Sequence, residues 1–259
     1  LEGQSIESIS SKIKSQELKS EDVVKFFLDK IKNYNKDLNA IVSLRDETEI
    51  ISEAKEKDRL FDNGNKIGLL HGMPLAIKDI TDVKKLPTSF GCREYKNNFP
   101  DEDSIISERL KKEGAIIIGK TNTTELAYGS QTSNRLFGST HNPYDLTKTA
   151  GGSSGGAAAA VSSGMLPLAD GTDMMGSVRN PAAYCNLYGF RPTPGLIPEK
   201  RVKSSNIKYP LLSTLGGIAR TPHELSIFLD AVSGRDERDP FSFDLENTFV
   251  NASMSDEDF

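Results

Sequence analysis

The chain has 259 residues, of which 36% are hydrophobic and 27% are charged, and its formal net charge is −5. This composition predicts a globular protein, and the acidic balance without a basic stripe argues against nucleic-acid binding. No apolar run approaches the roughly 20 residues that a membrane span needs, and the start, LEGQSIESIS, lacks the features of a signal peptide. The two cysteines, Cys92 and Cys185, are too few for a disulfide framework. We therefore expect a cytoplasmic protein.

The first sixty residues are predicted to be helical. Ser20 has the pattern of an N-cap, because the two acidic residues after it favour the positive end of a helix. A second helix is predicted from about Glu47 to Asp62, closed by Asn63 and Gly64. Nothing in residues 1–65 suggests chemistry, so we expect this part to pack around the rest.

The character of the chain changes after His71. The strand-like run LAIKDI contains one lysine, Lys78, which is unusual because burying an unpaired ammonium group is costly. Lys78 therefore either points to solvent or has a special role. A helix from Asp103 to Glu113, ended by Gly114, is predicted next.

The segment Gly114 to Thr121, GAIIIGKT, matches the pattern of a phosphate-binding loop. That loop must follow a strand and bend its amides towards phosphate, whereas here a helix precedes it and the variable residues, AIII, favour an extended strand. We interpret this segment as a buried strand, not as a nucleotide site.

The most informative stretch runs from Thr149 to Pro181 and holds two serines set among glycines, Ser153 and Ser177. Glycine permits tight turns and close approach of a ligand, so both hydroxyls are expected to be displayed on turns. A helix followed by a strand is predicted after Pro181. The alternation of strands and helices indicates an α/β protein.

The last part, residues 201–259, is expected to be peripheral. Thr221, Pro222 and Glu224 form a strong helix start, with a threonine N-cap, proline in the first turn and a capping-box glutamate. That helix is predicted to reach Gly234, and an acidic, turn-rich tail follows to Phe259.

A serine hydroxyl becomes a good nucleophile only when a base takes its proton. The three histidines, His71, His141 and His223, lie beside turn residues or in the capping box, and we expect them to be structural. Ser177 also lacks the G-x-S-x-G pattern of the α/β-hydrolase elbow. Lysine is the alternative base, and Lys78 lies where desolvation would lower its pKa.

Three separated motifs carry a family resemblance. Lys78 in PLAIKD, GGSSGG at 151–156 and DGTDMMGSVRNPAA at 170–183 occur in this order, and together the chain resembles the amidase signature family from about Gly68 to Pro198. The resemblance implies a mixed β-sheet core covered by helices in one domain, with the catalytic core at 66–200. Family members are considerably longer, so the resemblance also implies that 1–259 is an N-terminal portion.

The resemblance implies a Ser-cisSer-Lys triad. In it Lys78 is the base, Ser153 follows a cis peptide bond and relays the proton, and Ser177 is acylated. We expect Asp173 and Arg179 to pair beside the nucleophile turn. Backbone amides near the nucleophile would form the oxyanion hole. They belong to Met174, Met175, Gly176 and Ser177.

One departure from the family pattern is Met175, because many members carry glycine there. An oxyanion hole uses backbone N–H groups, so a side chain at this position need not abolish activity and is free to line or narrow the pocket. Ser154, the second serine of the pair, is expected to support its turn.

We predict an amidase that cleaves a carboxamide C–N bond through an acyl-enzyme, with a small-molecule amide as substrate and neither metal nor organic cofactor. A glutaminase-type A subunit of a tRNA-dependent amidotransferase is the alternative, although MMGSVRNPAA and GFRPTPGLIP look nearer to stand-alone amidases. A catalytically inactive scaffold or fragment is the alternative from another class. Expected partners are a missing C-terminal portion or a second copy of the chain, with no direct contact to nucleic acid or membrane.

Overall fold

The computed structural model describes residues 1–200, 212–245 and 248–250. Its α-helices are α1 (Ile6–Lys14), α2 (Ser20–Leu38), α3 (Glu47–Asp62), α4 (Ile105–Lys112), α5 (Gly155–Ser162), α6 (Arg179–Tyr184) and α7 (Pro222–Val232). Its strands are β1 (Ile41–Val42), β2 (Pro74–Lys78), β3 (Ile116–Thr121), β4 (Ser133–Asn134), β5 (Gly138–Ser139), β6 (His141–Asn142), β7 (Asp145–Thr149), β8 (Leu168–Asp173), β9 (Tyr188–Phe190) and β10 (Thr214–Ala219). Short 3-10 helices occupy Arg93–Tyr95 and Glu125–Ala127.

Helices α1, α2 and α3 form most of the N-terminal part, and the prediction of an all-helical segment needs two corrections: Ile41–Val42 form strand β1, and the start of α2 is capped differently. Ser20 is the first helical residue and not the N-cap, and the cap residue, Lys19, makes no side-chain hydrogen bond. Asp58 on α3 accepts the N–H groups of Ser20 at 2.6 Å and Glu21 at 3.2 Å. A carboxylate from a neighbouring helix therefore caps α2, which local sequence cannot reveal.

The first sheet has the strand order β1–β3–β2 and is mixed. Strands β2 and β3 run parallel, with Lys78 opposite Thr121, whereas β1 pairs antiparallel with β3. The segment GAIIIGKT forms β3 and the turn before it, and every residue of β3 is buried. The interpretation of this segment as a strand is therefore confirmed.

The second sheet is antiparallel and has the order β8–β10–β9. Its central strand, β10, was not predicted, because Gly216 and Gly217 lower the strand propensity of TLGGIA. A side chain at Gly217 would place its Cβ 2.6 Å from Phe228 Cδ1. The glycine therefore lets α7 pack directly on the sheet.

Helix α5 lies in the middle of the molecule and contacts strands of both sheets. All of its residues from Gly155 to Val161 are buried. A Cβ on Gly156 would lie 2.3 Å from the backbone nitrogen of Asn122, so only glycine allows this approach. The residues just before α5 are thereby held against the strands of the core.

Helix α7 starts as predicted at Thr221, whose side chain accepts the Glu224 N–H at 3.2 Å. The reciprocal half of the capping box is absent, because Glu224 Oε1 bonds Arg220 at 3.3 Å instead. Of the predicted tail, residues 246–247 and 251–259 lie outside the described residues. None of the helices in the described ranges is both long and apolar enough to cross a bilayer. The division at residues 65 and 200 stays a prediction.

Candidate active site

Lys78 is the last residue of β2, and its side chain is fully buried. Its Nζ lies 2.8 Å from Ser153 Oγ, 2.8 Å from Ser154 Oγ and 2.9 Å from Thr172 Oγ1. Burial lowers its pKa to about 7, although the charges of Asp170 and Asp173 oppose the shift. Lys78 therefore does not point to solvent, and close to neutral pH a large fraction of its side chain is an uncharged amine.

Ser153 and Ser154 form the segment that leads into α5, and both are fully buried. The peptide bond between Gly152 and Ser153 is cis, as the family resemblance implied. Ser154 does more than support a turn, because its hydroxyl lies as close to Lys78 Nζ as that of Ser153. The glycine-flanked pair thus presents two hydroxyls to one amine.

Ser177 lies on the turn between β8 and α6, and it is partly exposed. The Ser154 N–H donates to the Ser177 carbonyl at 3.1 Å, so the turn that carries Ser177 is in direct contact with the serine pair. Within the described residues, Ser177 Oγ has no hydrogen-bond partner. The structure therefore brings the three predicted residues to one place and bonds Lys78 to Ser153, but it leaves the Ser177 hydroxyl unbonded.

Asp173, at the end of β8, is fully buried and organises this turn. As expected, it pairs with Arg179, whose Nη2 lies 2.9 Å from Oδ1 and whose Nε lies 3.0 Å from Oδ2. Burial alone would raise the pKa of Asp173, but hydrogen bonds from Arg179 and from the backbone N–H groups of Gly176, Val178 and Arg179 outweigh it and lower the pKa to about 2. Asp173 is thus an anion that fixes the turn.

The expected oxyanion hole needs one correction. The Gly176 N–H donates to Asp173 Oδ1 at 2.8 Å, so it is not available to a substrate oxygen in this structure. The N–H groups of Met174, Met175 and Ser177 have no acceptor among the described residues, and they stay predicted donors. Met175 is 84% exposed, so its side chain takes no part in the packed core.

Sequence reasoning missed two polar residues of β8, Asp170 and Thr172. Thr172 supplies the third hydroxyl at Lys78, and Asp170 Oδ1 accepts the Lys78 N–H at 2.8 Å. Residues two apart in a strand share a face, so the spacing of these two side chains in LADGTD was the available signal.

A second lysine, Lys120 on β3, is also fully buried. Its Nζ donates to the Thr81 carbonyl and lies 3.3 Å from Thr88 Oγ1. Burial lowers its pKa to about 8, while the nearby carboxylates of Asp79 and Asp170 favour the charged form. In the described part of the chain, no three His, Cys, Asp or Glu side chains converge as a metal site requires.

The three histidines contact other parts of the protein and not the serines of the site. His71 Nε2 is 3.1 Å from the Lys57 carbonyl, and His223 Nε2 is 3.1 Å from Glu7 at the surface. His141 lies in β6, opposite Thr149. No described contact links any of them to the two serines.

The chain is similar to a known family and to several known proteins. Residues 22–258 match the Amidase family. The acylamidase of Rhodococcus erythropolis is 38% identical over 249 residues, which cover 96% of this chain and 51% of that protein. A glutamyl-tRNA(Gln) amidotransferase A-type subunit from Clostridium acetobutylicum is 38% identical over 234 residues, 90% of this chain and 48% of that protein.

Among solved structures, a bacterial aryl acylamidase described as an amidase signature enzyme matches with a TM-score of 0.88 and 32% identity. The match covers 95% of this chain and 51% of the other. The predicted fold class, a mixed-sheet core covered by helices, is confirmed by this likeness, and the chain spans about half the length of the curated relatives that it matches. Because the family match extends over most of its length, the chain belongs to the amidase signature family.

Proposed function

We propose that this chain carries the Ser-cisSer-Lys site of an amidase that hydrolyses a carboxamide through a serine acyl-enzyme. Ser177 is the nucleophile, Ser153 the relay and Lys78 the base. The proposal takes its support from the family membership and from the relatives' printed activities as acylamidases.

The observation that carries the proposal is the buried amine of Lys78 among three hydroxyls. A protonated lysine has three N–H donors, which matches the three oxygens at 2.8–2.9 Å. A neutral amine has two N–H donors and one lone pair, so one hydroxyl must turn round and donate to it. The same cluster therefore accommodates both protonation states, as a base needs.

In the proposed reaction, Ser177 Oγ attacks the carboxamide carbon and its proton passes to Ser153 Oγ, while the Ser153 proton passes to Lys78 Nζ. The carbonyl oxygen becomes an oxyanion, for which backbone N–H groups of the turn are the donors. The C–N bond then breaks, and Lys78 returns the proton through Ser153 to the leaving nitrogen. Water attacks the ester of Ser177 by the same route and releases the acid.

A glutaminase-type component of an amidotransferase is the second candidate, and the similarity to the Clostridium protein favours it. Both candidates share the serine acyl-enzyme and differ in substrate and in dependence on a partner. Hydrolysis of free glutamine that appears only with a partner protein would favour the amidotransferase, and hydrolysis of acyl anilides by the protein alone would favour the amidase.

The test is covalent labelling of the purified protein with a fluorophosphonate, followed by intact mass and peptide mapping. We expect one adduct, on Ser177, and none in Ser177→Ala. Ser163→Ala is a matched control, because its hydroxyl caps a turn of α5 and bonds only the carbonyls of Ala159 and Ala160. A folded protein that forms no adduct on Ser177 would contradict the proposal and favour an inactive scaffold.

A further inference from the structure

Asp170 is a buried carboxylate that the proposed reaction does not use. It lies on β8, its side chain is 1% exposed, and Oδ1 accepts the backbone N–H of Lys78 at 2.8 Å. Its second oxygen, Oδ2, is buried and has no hydrogen-bond partner among the described residues. An anionic oxygen without a donor is costly inside a protein, so this carboxylate needs another explanation.

A purely structural role would not require a charge. Among the described residues, the one hydrogen bond to the Asp170 side chain comes from a backbone N–H, and an asparagine amide oxygen can accept that bond too. What only the carboxylate supplies is negative charge beside two buried lysines, Lys78 at the end of β2 and Lys120 on β3.

The attractions between the buried charges form a series. Asp79 and Asp170 both favour the charged form of Lys120, and Asp170 also favours the charged form of Lys78, whose N–H it accepts. With Lys78 neutral, the other three groups carry a net charge of −1 when all are ionised, and a proton on Lys78 brings the series to zero. The fold is thus arranged to accept one proton at Lys78.

We propose that Asp170 is a positioning residue of this site: it fixes the end of β2 through the Lys78 N–H and supplies the negative charge that stabilises Lys78 while its amine holds the proton of the nucleophile. This inference deepens the proposed function and depends on it for its catalytic meaning. Burial raises the pKa of Asp170 to about 6, so this carboxylate is largely ionised at neutral pH. In the proposed reaction the proton moves only between Ser177, Ser153 and Lys78.

Other ionisable groups around Lys78 do not duplicate this role. Asp173 is the second carboxylate that acts on Lys78, but Arg179 and Arg191 already neutralise it. From α5 and its N-terminal segment, Lys78 meets only hydroxyls. The ionisable groups that act on Lys120 are Asp79, Asp170, Asp82 and Asp103.

The test compares wild-type protein with Asp170→Asn, which keeps an acceptor for the Lys78 N–H and removes only the charge. Ionisation of Lys78 is followed directly by NMR of its Cε and Nζ in lysine-labelled protein, with Lys78→Met to assign the signal. We expect the Lys78 midpoint to fall by about one pH unit or more in Asp170→Asn. The acidic limb of Ser177 labelling should move by the same amount, with a plateau rate lowered by at least about 10-fold.

Glu224→Gln is the matched control. Glu224 is also a buried carboxylate with one oxygen bonded and one without a partner among the described residues, but it lies on α7 and pairs with Arg220. We expect the Lys78 midpoint and the labelling profile to be unchanged in this variant.

Equal Lys78 midpoints in wild-type and Asp170→Asn protein would overturn the inference. If Asp170→Asn does not fold, Asp170→Glu is compared with Asp170→Gln, because these two side chains have nearly the same shape and differ in charge. Equal Lys78 midpoints in that pair would also overturn the inference. The two proposals fail separately: a lowered Lys78 midpoint in a protein that never labels at Ser177 supports the role of Asp170 and contradicts the hydrolase.

Discussion

The Gly176 N–H donates to Asp173 Oδ1 at 2.8 Å, so a buried carboxylate at the end of β8 holds the turn that carries Ser177. Arg179 bonds both oxygens of the same carboxylate from the other end of the turn. Because a buried carboxylate accepts these hydrogen bonds, the turn is held in place before any substrate arrives. That pre-organisation is what a set of oxyanion donors requires.

Removing this carboxylate should destabilise the protein. We expect Asp173→Ala to lower the free energy of unfolding by about 3 kcal/mol, because it leaves buried N–H groups without an acceptor and Arg179 without its partner. Urea unfolding measures the change. Asp145→Ala is the control, since Asp145 likewise accepts local hydrogen bonds, from the N–H and hydroxyl of Thr147, but is exposed. Its loss should cost less than about 1 kcal/mol, and an equal cost for both variants would refute the special role of Asp173.

The depressed pKa of Asp173 also predicts acid sensitivity. Its pKa is about 2 in the folded protein and about 3.9 in an unfolded chain, so its contribution is fully present above about pH 4 and is lost as the pH falls through 2. We expect about 2 kcal/mol more loss of stability across this window in wild-type protein than in Asp173→Asn. Parallel stability curves from pH 5 to 2 would contradict this.

The pKa of Lys78 predicts the pH dependence of acylation. Because the neutral amine accepts the proton, the rate of Ser177 labelling should rise with pH, with a midpoint at about 7, and then level off. Lys78→Met should lower the rate by about 10²- to 10⁴-fold and remove the rise with pH. Lys111→Met, at a surface ion pair with Asp103, should keep the wild-type profile. If the labelling rate of Lys78→Met still rises with pH around a midpoint near 7, another group is responsible for the pH dependence.

The two hydroxyls at Lys78 should differ in importance. We expect Ser153→Ala to lower Ser177 labelling by about 100-fold or more, because it removes the proton relay, and Ser154→Ala to lower it by about 10-fold or less, because Ser154 only orients the amine. Both variants lose one hydrogen bond to the same nitrogen, so each controls for the other. Equal losses, or the reverse order, would assign the relay to Ser154 or to neither.

Gly156 offers a test of the packing beneath the site. Replacing a helical glycine with alanine usually stabilises a helix by about 0.5–1 kcal/mol, but here the new Cβ would meet the Asn122 backbone. We therefore expect Gly156→Ala to lower the free energy of unfolding by about 2 kcal/mol. Gly164→Ala, with a φ of +73° and open space around it, measures the cost of backbone strain alone. A stabilised Gly156→Ala would show that the helix shifts to make room.

Local sequence patterns predicted the features that depend on interactions between residues close in the chain. The helices α3 and α7 were found from caps and apolar spacing, and the motifs around Lys78, Ser153 and Ser177 led to the family. The cap of α2 was assigned wrongly because its acceptor, Asp58, lies 38 residues away. Strand β10 was missed because its glycines serve the packing of α7 and not the strand itself.

The sequence was sufficient to name the residues of the candidate site, but it did not show which acceptor each N–H group of the turn bonds. Nothing local distinguishes the Gly176 N–H, which bonds Asp173, from that of Met175. The contact of Asp170 with Lys78 was overlooked because it depends on β8 lying beside β2, which the sequence does not show. Such relationships arise only from tertiary structure.

The buried helix α5 links folding to chemistry. It has no polar face, since glycine, alanine and valine surround its axis from Gly155 to Val161, and a helix of eight residues is not stable alone in water. It must therefore form together with the sheets on either side, and only then are Ser153 and Ser154 brought to Lys78. A partly unfolded chain therefore lacks the contacts that join Ser153 and Ser154 to the amine of Lys78. Amide hydrogen exchange in α5 should accordingly occur only with global unfolding.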